Sequence, residues 1–347
     1  AYVTGGVSYY TFETTSKAPP FEAEQGVFVL KLNPAGSGLD YSVVLGDGTV
    51  SGIALSALGD AYIVGYTNGS NFPTTVGAFQ TQRRNAAAYL TDAFIARISE
   101  RAEVRMATHV SAANYGAPLA ADSMIAAFGS KLAIGTEAAL ATPLPETLVG
   151  TVVRVRDSAG TERGAPLFFV SPSQINYLMP AGTASGAATI AVVSGDGAVS
   201  TASVMIAAVA PGLFTADASG RGLAAAVALR VKATGEQSYE PIAQYDAAQN
   251  RMMPMPVNLG ADLGNASEQV FLILYGTGLR HYAGLNGVSI KIGGVDAQAV
   301  YAGAEGDFYG LDQINVRLPR QLAGRGEADI VLIVDGKTAN TVKVWIK

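Results

Sequence analysis

The sequence FFVSPSQINYLMP at residues 168–180 returns near the end of the chain as FYGLDQINVRLP at residues 308–319. In both copies a proline follows the glutamine by six residues, and a glycine-rich turn then leads into two apolar stretches. These stretches lie at residues 189–193 and 203–206 in the first copy, and at 329–333 and 343–346 in the second. An internal repeat of this kind predicts two domains of the same architecture.

The composition limits the classes of function. The chain has 347 residues, 49% of them apolar and only 15% charged, with 40 glycines. These proportions are typical of many short strands joined by turns. The net charge of -5 includes no basic stripe, so we expect no nucleic-acid partner. No apolar run is long enough to span a membrane, and the absence of cysteine excludes disulfides and thiolate metal sites.

A second, weaker repeat lies in residues 1–100. AYVTG at residues 1–5 returns as AYIVG at 61–65, and FVLKL at 28–32 returns as FIARI at 94–98. Each segment is a short alternating strand bounded by turn residues. The spacing is that of a propeller blade with a long hairpin inserted.

The segments SGIAL, GDAYIVGYTN, NFPTTVGAFQ and DAFIARI, spread over residues 51–98, resemble one unit of the SBBP-type β-propeller repeat. Residues 1–41, with the turn NPAGS at 33–37, resemble most of a preceding unit. The resemblance implies an architecture and no activity. Because a propeller needs about four to eight blades, we expect this region to be incomplete and to expose strand edges. Upstream chain or another molecule would then complete it.

Residues 109–347 are expected to form two domains, at 109–208 and 209–347, after a charged linker that begins at residue 100. Each contains roughly seven predicted strands, the number expected for a sandwich of two antiparallel sheets. A proline-rich insertion interrupts the second domain at about residues 232–268. The sequence therefore predicts an all-β chain, in which partial β-propeller-type repeats precede two immunoglobulin-like β-sandwiches.

Five short motifs in residues 109–347 resemble the paired C-terminal immunoglobulin-like domains of large, uncharacterised secreted proteins of acidobacteria. The motifs are SAAN at 111–114, FVSPSQIN at 169–176, APGLF at 210–214, YGTG at 275–278 and GLDQINVRLP at 310–319. The domains are also similar to the IPT/TIG type of module. The resemblance implies an exported protein, extracellular or at the cell surface, with its signal peptide outside this chain. It implies no known reaction.

The sequence offers little catalytic chemistry. His109 and His281 are the only histidines, and no Gly-x-Ser-x-Gly elbow accompanies them. GRGLAA at residues 220–225 superficially matches a dinucleotide fingerprint, but strand-forming residues follow it, which indicates a turn before a strand. We therefore expect a protein that is not an enzyme, with no catalytic residue and no cofactor.

Acidic positions are also better explained by structure. The Asp-Gly turns at 47–48, 196–197 and 335–336 suit tight hairpins and each offers one carboxylate, so we expect no metal, although a Ca²⁺ site stays open. The acidic residues near the second Gln-Ile-Asn motif, Asp312 among them, are interpreted as variation in a solvated loop. The glutamine and asparagine of each motif are expected to bond backbone groups where a strand crosses between sheets, leaving Ile175 and Ile314 in the core.

Two sets of residues are candidates for binding. The first is a contact surface: the only tryptophan, which a period of two leaves outside between two lysines, and the methionines of a Met-Pro run. The alternatives left open are a tryptophan covered by lysine stems and a loop that covers a sheet edge. The candidate interface residues are Trp345, Met252, Met253 and Met255. The second set would stack on a glycan from the propeller loops and comprises Tyr9, Tyr10, Phe12, Tyr66 and Phe72.

The leading hypothesis is a non-catalytic extracellular structural or adhesion protein. In its sharper form, copies self-associate into a filament or surface array through strand edges, including an exposed last strand, or through head-to-tail contacts. The alternative is a module that binds a glycan or cell-wall polymer, within a larger secreted protein whose enzymatic part, if any, lies upstream.

Overall fold

The structure is a computed structural model of the chain. It describes residues 1–8, 25–56, 59–69, 72–74, 78–80, 82, 90–98, 106–259 and 268–347. The chain is all-β, as predicted; its only described helical elements are single 3₁₀ turns at Leu285–Gly287 and Arg320–Leu322. Its residues form two compact units, Ala1–Ala102 and Glu103–Lys347. Because both sandwiches belong to the second unit, the predicted domain boundaries stay predictions.

The first unit contains two antiparallel sheets of three strands, in the orders β1-β2-β3 and β4-β5-β6. The strands are β1 (Tyr2–Ser8), β2 (Gln25–Leu32), β3 (Leu39–Gly46), β4 (Thr49–Leu55), β5 (Ala61–Thr67) and β6 (Asp92–Ile98). The repeated segments occupy equivalent hairpins, since β1 pairs with β2 as β5 pairs with β6. One core joins the sheets, with Val27 and Val29 from β2 packed in the same cluster as Ile63 from β5 and Phe94 from β6.

The first sandwich consists of two five-stranded sheets, ordered β10-β13-β14-β9-β7 and β12-β11-β15-β16-β8. Its strands are β7 (Ala107–Ser111), β8 (Leu119–Ala120), β9 (Met124–Gly129), β10 (Glu137–Ala138), β11 (Val152–Arg156), β12 (Glu162–Gly164), β13 (Leu167–Val170), β14 (Gln174–Leu178), β15 (Gly186–Val193) and β16 (Val199–Ala207). Alternate residues of both sheets, such as Ile125, Ile175 and Ile190, are fully buried in one cluster. The period-two pattern of the sequence therefore defines the core.

The second sandwich repeats this plan with an added hairpin. Its strands are β17 (Gly212–Leu213), β18 (Gly222–Leu223), β19 (Ala226–Val231), β20 (Gln237–Pro241), β21 (Ala243–Asp246), β22 (Arg251–Pro254), β23 (Gln269–Thr277), β24 (Val288–Ile292), β25 (Val295–Ala304), β26 (Asp312–Arg317), β27 (Gly326–Val334), β28 (Lys337–Thr338) and β29 (Val342–Ile346). The first part of β25 pairs with β24 and the rest pairs with β26. One strand thus passes from one sheet to the other.

The repeated Gln-Ile-Asn motif lies on β14 and β26, in the middle of a sheet in each sandwich. Ile175 and Ile314 are fully buried, as predicted. The polar partners differ from the prediction: the Gln174 amide donates to Asn176 at 2.9 Å, and Gln313 donates to Asn315 at 2.7 Å. Residues two apart on a strand share a face, so the two side chains bond each other instead of backbone groups at a strand crossing.

The described part of the insertion, residues 232–259, covers a sheet edge, which is one of the alternatives left open by the sequence. β20 extends one sheet beside β19, and β21 pairs with β22 as a separate hairpin. After the hairpin, Val257 forms a parallel bridge with Ile346 and is itself buried in the core. Three prolines in this segment stand at strand ends or outside strands, where a missing N–H does not break a ladder.

Candidate functional site

Four of the five motifs that carry the resemblance, SAAN, APGLF, YGTG and GLDQINVRLP, meet at the joint between the two sandwiches. Thr277, from YGTG at the end of β23, is completely buried there. The Met124 N–H of the first sandwich donates to the Thr277 hydroxyl oxygen at 2.9 Å. That hydroxyl donates in turn to the Gly310 carbonyl at 2.7 Å. One buried hydroxyl therefore links three segments that are distant in the sequence.

Glycines allow the close approach at this joint. A Cβ on Gly310, which has a φ of +73°, would lie 2.8 Å from both Leu178 and Met124 of the first sandwich. A Cβ on Gly212 would lie 3.1 Å from Ala113 and from the Ser111 hydroxyl. Real Cβ contacts are rarely this short, so larger residues would push the sandwiches apart.

Further contacts surround Thr277. The Tyr115 hydroxyl donates to the Ala218 carbonyl at 2.7 Å, and His281 lies 2.8 Å from the Asp122 carboxylate. The joint is thus built from direct hydrogen bonds and apposed backbone. The sequence did not lead us to predict a role for Thr277, although its position between the two glycines of the YGTG motif was a usable signal.

Asp312 was interpreted as part of a solvated loop, and this is wrong. Its carboxylate is wholly buried and accepts from the Leu279 N–H at 2.9 Å and from Arg280 Nε at 2.8 Å. Burial raises the pKa of the Asp312 carboxyl, and the Leu279 N–H and the Arg280 charge oppose that rise. A buried charge needs such partners, so Asp312 is part of the scaffold beside the joint.

His109 is also a scaffold residue. It is buried on β7, and its Nδ1 lies 3.0 Å from the hydroxyl of the fully buried Tyr177. Nε2 of the ring has no hydrogen-bond partner among the residues that the structure describes. Burial lowers the pKa of His109 from 6.5 to about 4, so the ring is neutral at physiological pH.

The structure brings together three of the four predicted interface residues. A groove with a volume of about 360 Å³ is lined by Met252 and Met253 of β22 and by Trp345 of β29. Leu223 adds to its apolar lining. The Trp345 side chain is 38% exposed, while Val342, Val344 and Ile346 are buried, as the period of two predicted. Met255 does not line this groove.

Charged groups of both signs surround the groove. Arg251 and Lys343 are basic, and Asp217 and Glu327 are acidic. The Lys343 ammonium is paired with Glu327 and lies 3.6 Å from Asp329. Its hydrogen bond to Glu327 raises the pKa of Lys343. The groove therefore combines an apolar wall with a charge-balanced rim, and its volume lies within the range of about 300–1,000 Å³ usual for small-molecule sites.

The last strand, β29, was expected to expose its edge, and this is wrong. β18 pairs in parallel with Val342 and Lys343. Farther along, the Val257 N–H donates to the Trp345 carbonyl at 2.8 Å, and the Lys347 N–H donates to the Val257 carbonyl at 2.8 Å. The outer edge of β29 is therefore covered within the chain.

The predicted glycan-stacking set is only partly described. Tyr9, Tyr10 and Phe12 lie outside the described residues. Phe72 packs against Phe94 of the core, with ring centroids 4.5 Å apart, so one face of its ring is occupied. Tyr66 is exposed on the outer face of β5. The structure thus offers one open ring from this set and no described cluster of them.

The other candidate sites of the sequence are turns. Residues 220–225 contain β18 and lead into β19, not into a helix. Asp335 and Gly336 both have positive φ in the two-residue loop between β27 and β28, as a tight hairpin requires. Within the described part of the chain, no three His, Cys, Asp or Glu side chains are grouped as metal ligands. Nor is any described helix long and apolar enough to cross a membrane.

Comparison with known protein families supports the propeller-repeat resemblance over one part of the first unit. Residues 45–73 match the family model described as the SBBP β-propeller repeat. This confirms the first resemblance over β4, β5 and the loop between them. No curated protein matches the chain. The resemblances to acidobacterial proteins and to IPT/TIG modules stay predictions.

Solved structures similar to the chain include bovine butyrophilin, a tandem of immunoglobulin domains from titin, and murine CEACAM1b. Their identities are 9%, 10% and 11%, and their TM-scores are 0.21, 0.18 and 0.17. Each match covers 70% of this chain and 99%, 97% and 100% of the respective structure. At such scores, the sandwich assignment rests on the strand pairing and shared cores described above.

Proposed function

We propose that the chain is a non-catalytic structural protein of the extracellular space or cell surface, in which the two sandwiches act as a rigid spacer. The observation that supports this is the joint at Thr277, where one buried hydroxyl links Met124 to Gly310. The all-β fold supports the general class, a structural or binding protein. Adhesion, self-association and an extracellular location are specific roles that we add as parts of the proposal.

The positions of the histidines support a role without catalysis. His109 is buried against Tyr177, and His281 pairs with Asp122 at the joint. A histidine acting in a triad must reach a presented nucleophile, whereas both of these side chains are used in packing or in linking the sandwiches.

The first unit would associate with a further blade, because Val64 and Ile95 form an exposed apolar pair on its outer face.

The spacer predicts that a single alignment tensor fits residual dipolar couplings from both sandwiches. Gly310→Ala should weaken the joint and lower the free energy of unfolding by about 1–3 kcal/mol more than a control at Gly324. Gly324→Ala is matched, because Gly324 has a φ of +74° but no atom within 4 Å of the place that a Cβ would take, so it reports the cost of positive φ alone. Couplings of the unmodified protein that require two independent tensors would refute the rigid spacer.

The groove at Trp345 favours a second function, binding of a glycan or cell-wall polymer. A sugar presents an apolar face that can stack on the indole, and hydroxyl groups that can bond the charged rim. Because Trp345 is the only tryptophan, its fluorescence should change when soluble cell-wall glycan fragments bind. Trp345→Ala should weaken binding, measured by calorimetry, by at least about tenfold.

Tyr239→Ala is the control for this second function. Tyr239 is an exposed aromatic of the same sandwich that does not line the groove. Its replacement should leave glycan affinity unchanged. Equal losses in both variants, or a fluorescence signal that no glycan alters, would exclude this groove as the site.

A further inference from the structure

The open backbone edge of β16 distinguishes the first sandwich from the second. β16 pairs with β15 from Val199 to Ile206, but on its other side β8 pairs only with Ile206 and Ala207. From Val199 to Met205, no residue in the described part of the chain bonds the outer edge. The corresponding edge of β29 is covered by β18 and Val257. An edge strand with unpaired N–H and C=O groups is a template for another strand.

The composition of β16 lacks the features that normally block such pairing. Its sequence, VSTASVMIA, contains no charged residue and no proline, and neighbouring β15 is uncharged as well. The edge strand β20 of the second sandwich, in contrast, carries Glu240 and Pro241. Charges and prolines on an edge oppose pairing with another chain. Among the described residues, the outer edge of β16 from Val199 to Met205 is therefore both unpaired and uncharged.

We propose that two copies of this chain associate by antiparallel pairing of β16 with β16, about a two-fold axis at Ala202. The inference rests on the proposed structural function and names the partner and its register. In this register Val199 lies opposite Met205 of the second copy, and Thr201 lies opposite its Ser203. Val199 and Met205 are 42% and 55% exposed, so their pairing removes two apolar side chains from water at each end.

The register is consistent on both faces of the sheet. Thr201 and Ser203 are also exposed, and an opposed Thr–Ser pair is a favourable cross-strand pair. Inward-facing Ser200 lies opposite Val204, and Ala202 lies opposite itself, so every pair shares a face. Since neither β15 nor β16 is charged, the paired strands place no like charges opposite one another. The contact is isologous and closes at two copies.

Cysteine cross-linking tests the register, because the chain has no native cysteine. Ala202→Cys should form a disulfide-linked dimer under mild oxidation. Val199→Cys and Met205→Cys should each remain uncross-linked alone and form a mixed dimer when combined, since each side chain faces the other residue. A dimer that Val199→Cys forms alone, or an uncross-linked mixture, would overturn the register.

Sedimentation equilibrium of the 347-residue protein tests the association itself. Thr201→Lys combined with Ser203→Lys should weaken dimerisation at least about tenfold, since two pairs of like charges then face each other. Thr189→Lys, on the exposed face of β15, is the control and should leave the dimer unchanged. A protein that stays monomeric at its highest soluble concentration would refute the inference. A single alignment tensor for both sandwiches would still support the spacer.

Discussion

Replacing Asp312 with alanine is expected to destabilise the second sandwich by about 3 kcal/mol or more. The substitution leaves the Leu279 N–H without its acceptor and Arg280 without its counter-ion, in a place that is shielded from water. It also leaves a cavity where the carboxylate was packed. Urea unfolding at neutral pH, followed by the fluorescence of Trp345, measures the loss directly.

Asp307 supplies a matched control for this prediction. It belongs to the loop that precedes β26 and is exposed, so Asp307→Ala should change the free energy of unfolding by no more than about 0.5 kcal/mol. Asp312→Asn should fall between the two, because an amide keeps the shape but offers one acceptor oxygen instead of two. Similar losses for Asp312→Ala and Asp307→Ala would show that the buried carboxylate contributes little.

Acidification is expected to destabilise the first sandwich through His109. In the unfolded chain the imidazole has its ordinary pKa near 6.5, whereas burial lowers the pKa of His109 to about 4 in the folded protein. Between these values the unfolded chain binds a proton that the folded chain does not. The free energy of unfolding should therefore be unaffected by this residue above pH ~6.5 and fall by up to ~3 kcal/mol as the pH decreases to ~4.

The physical reason is burial, which penalises the charged ring, and Nε2 has no hydrogen-bond partner among the described residues to offset it. A protonated ring would bury a second N–H donor where no described residue accepts a hydrogen bond. His109→Phe should remove this acid-side loss, although the baseline stability falls because the Tyr177 hydroxyl loses its partner. His281→Gln leaves the buried His109 ring in place, so this variant should still lose stability as the pH falls. Parallel pH profiles of unmodified protein and His109→Phe, from urea unfolding, would contradict the assignment.

The repeated motif shows how far local pattern carries a prediction. A period of two placed Ile175 and Ile314 in the core, and the structure confirms this. The same period places Gln174 beside Asn176 on the opposite face, where the amides bond each other. This hydrogen bond between the two side chains could have been predicted from the sequence. The role of Asp312 was not, because its burial depends on Arg280, a residue from another loop.

The predicted contact residues show a different limit. Alternation along β29 correctly placed Trp345 outside, and the Met-Pro run was recognised as unusual for a strand. Their meeting in one groove depends on the β21–β22 hairpin, which returns the chain to the side of β29. The sequence allowed Met252, Met253 and Trp345 to be predicted separately as contact residues, but it contained no signal that they line the same groove.

The sequence by itself determined the all-β class, the order of the repeats and the inward face of the strands, because side-chain polarity with a period of two records which face meets the core. The tertiary structure alone decided which strand edges are covered. Val257 closes the edge of β29 from a distant part of the chain, and β16 has no equivalent cover among the described residues. Edge pairing uses backbone N–H and C=O groups that almost every residue carries, so it leaves little trace in the pattern of side chains.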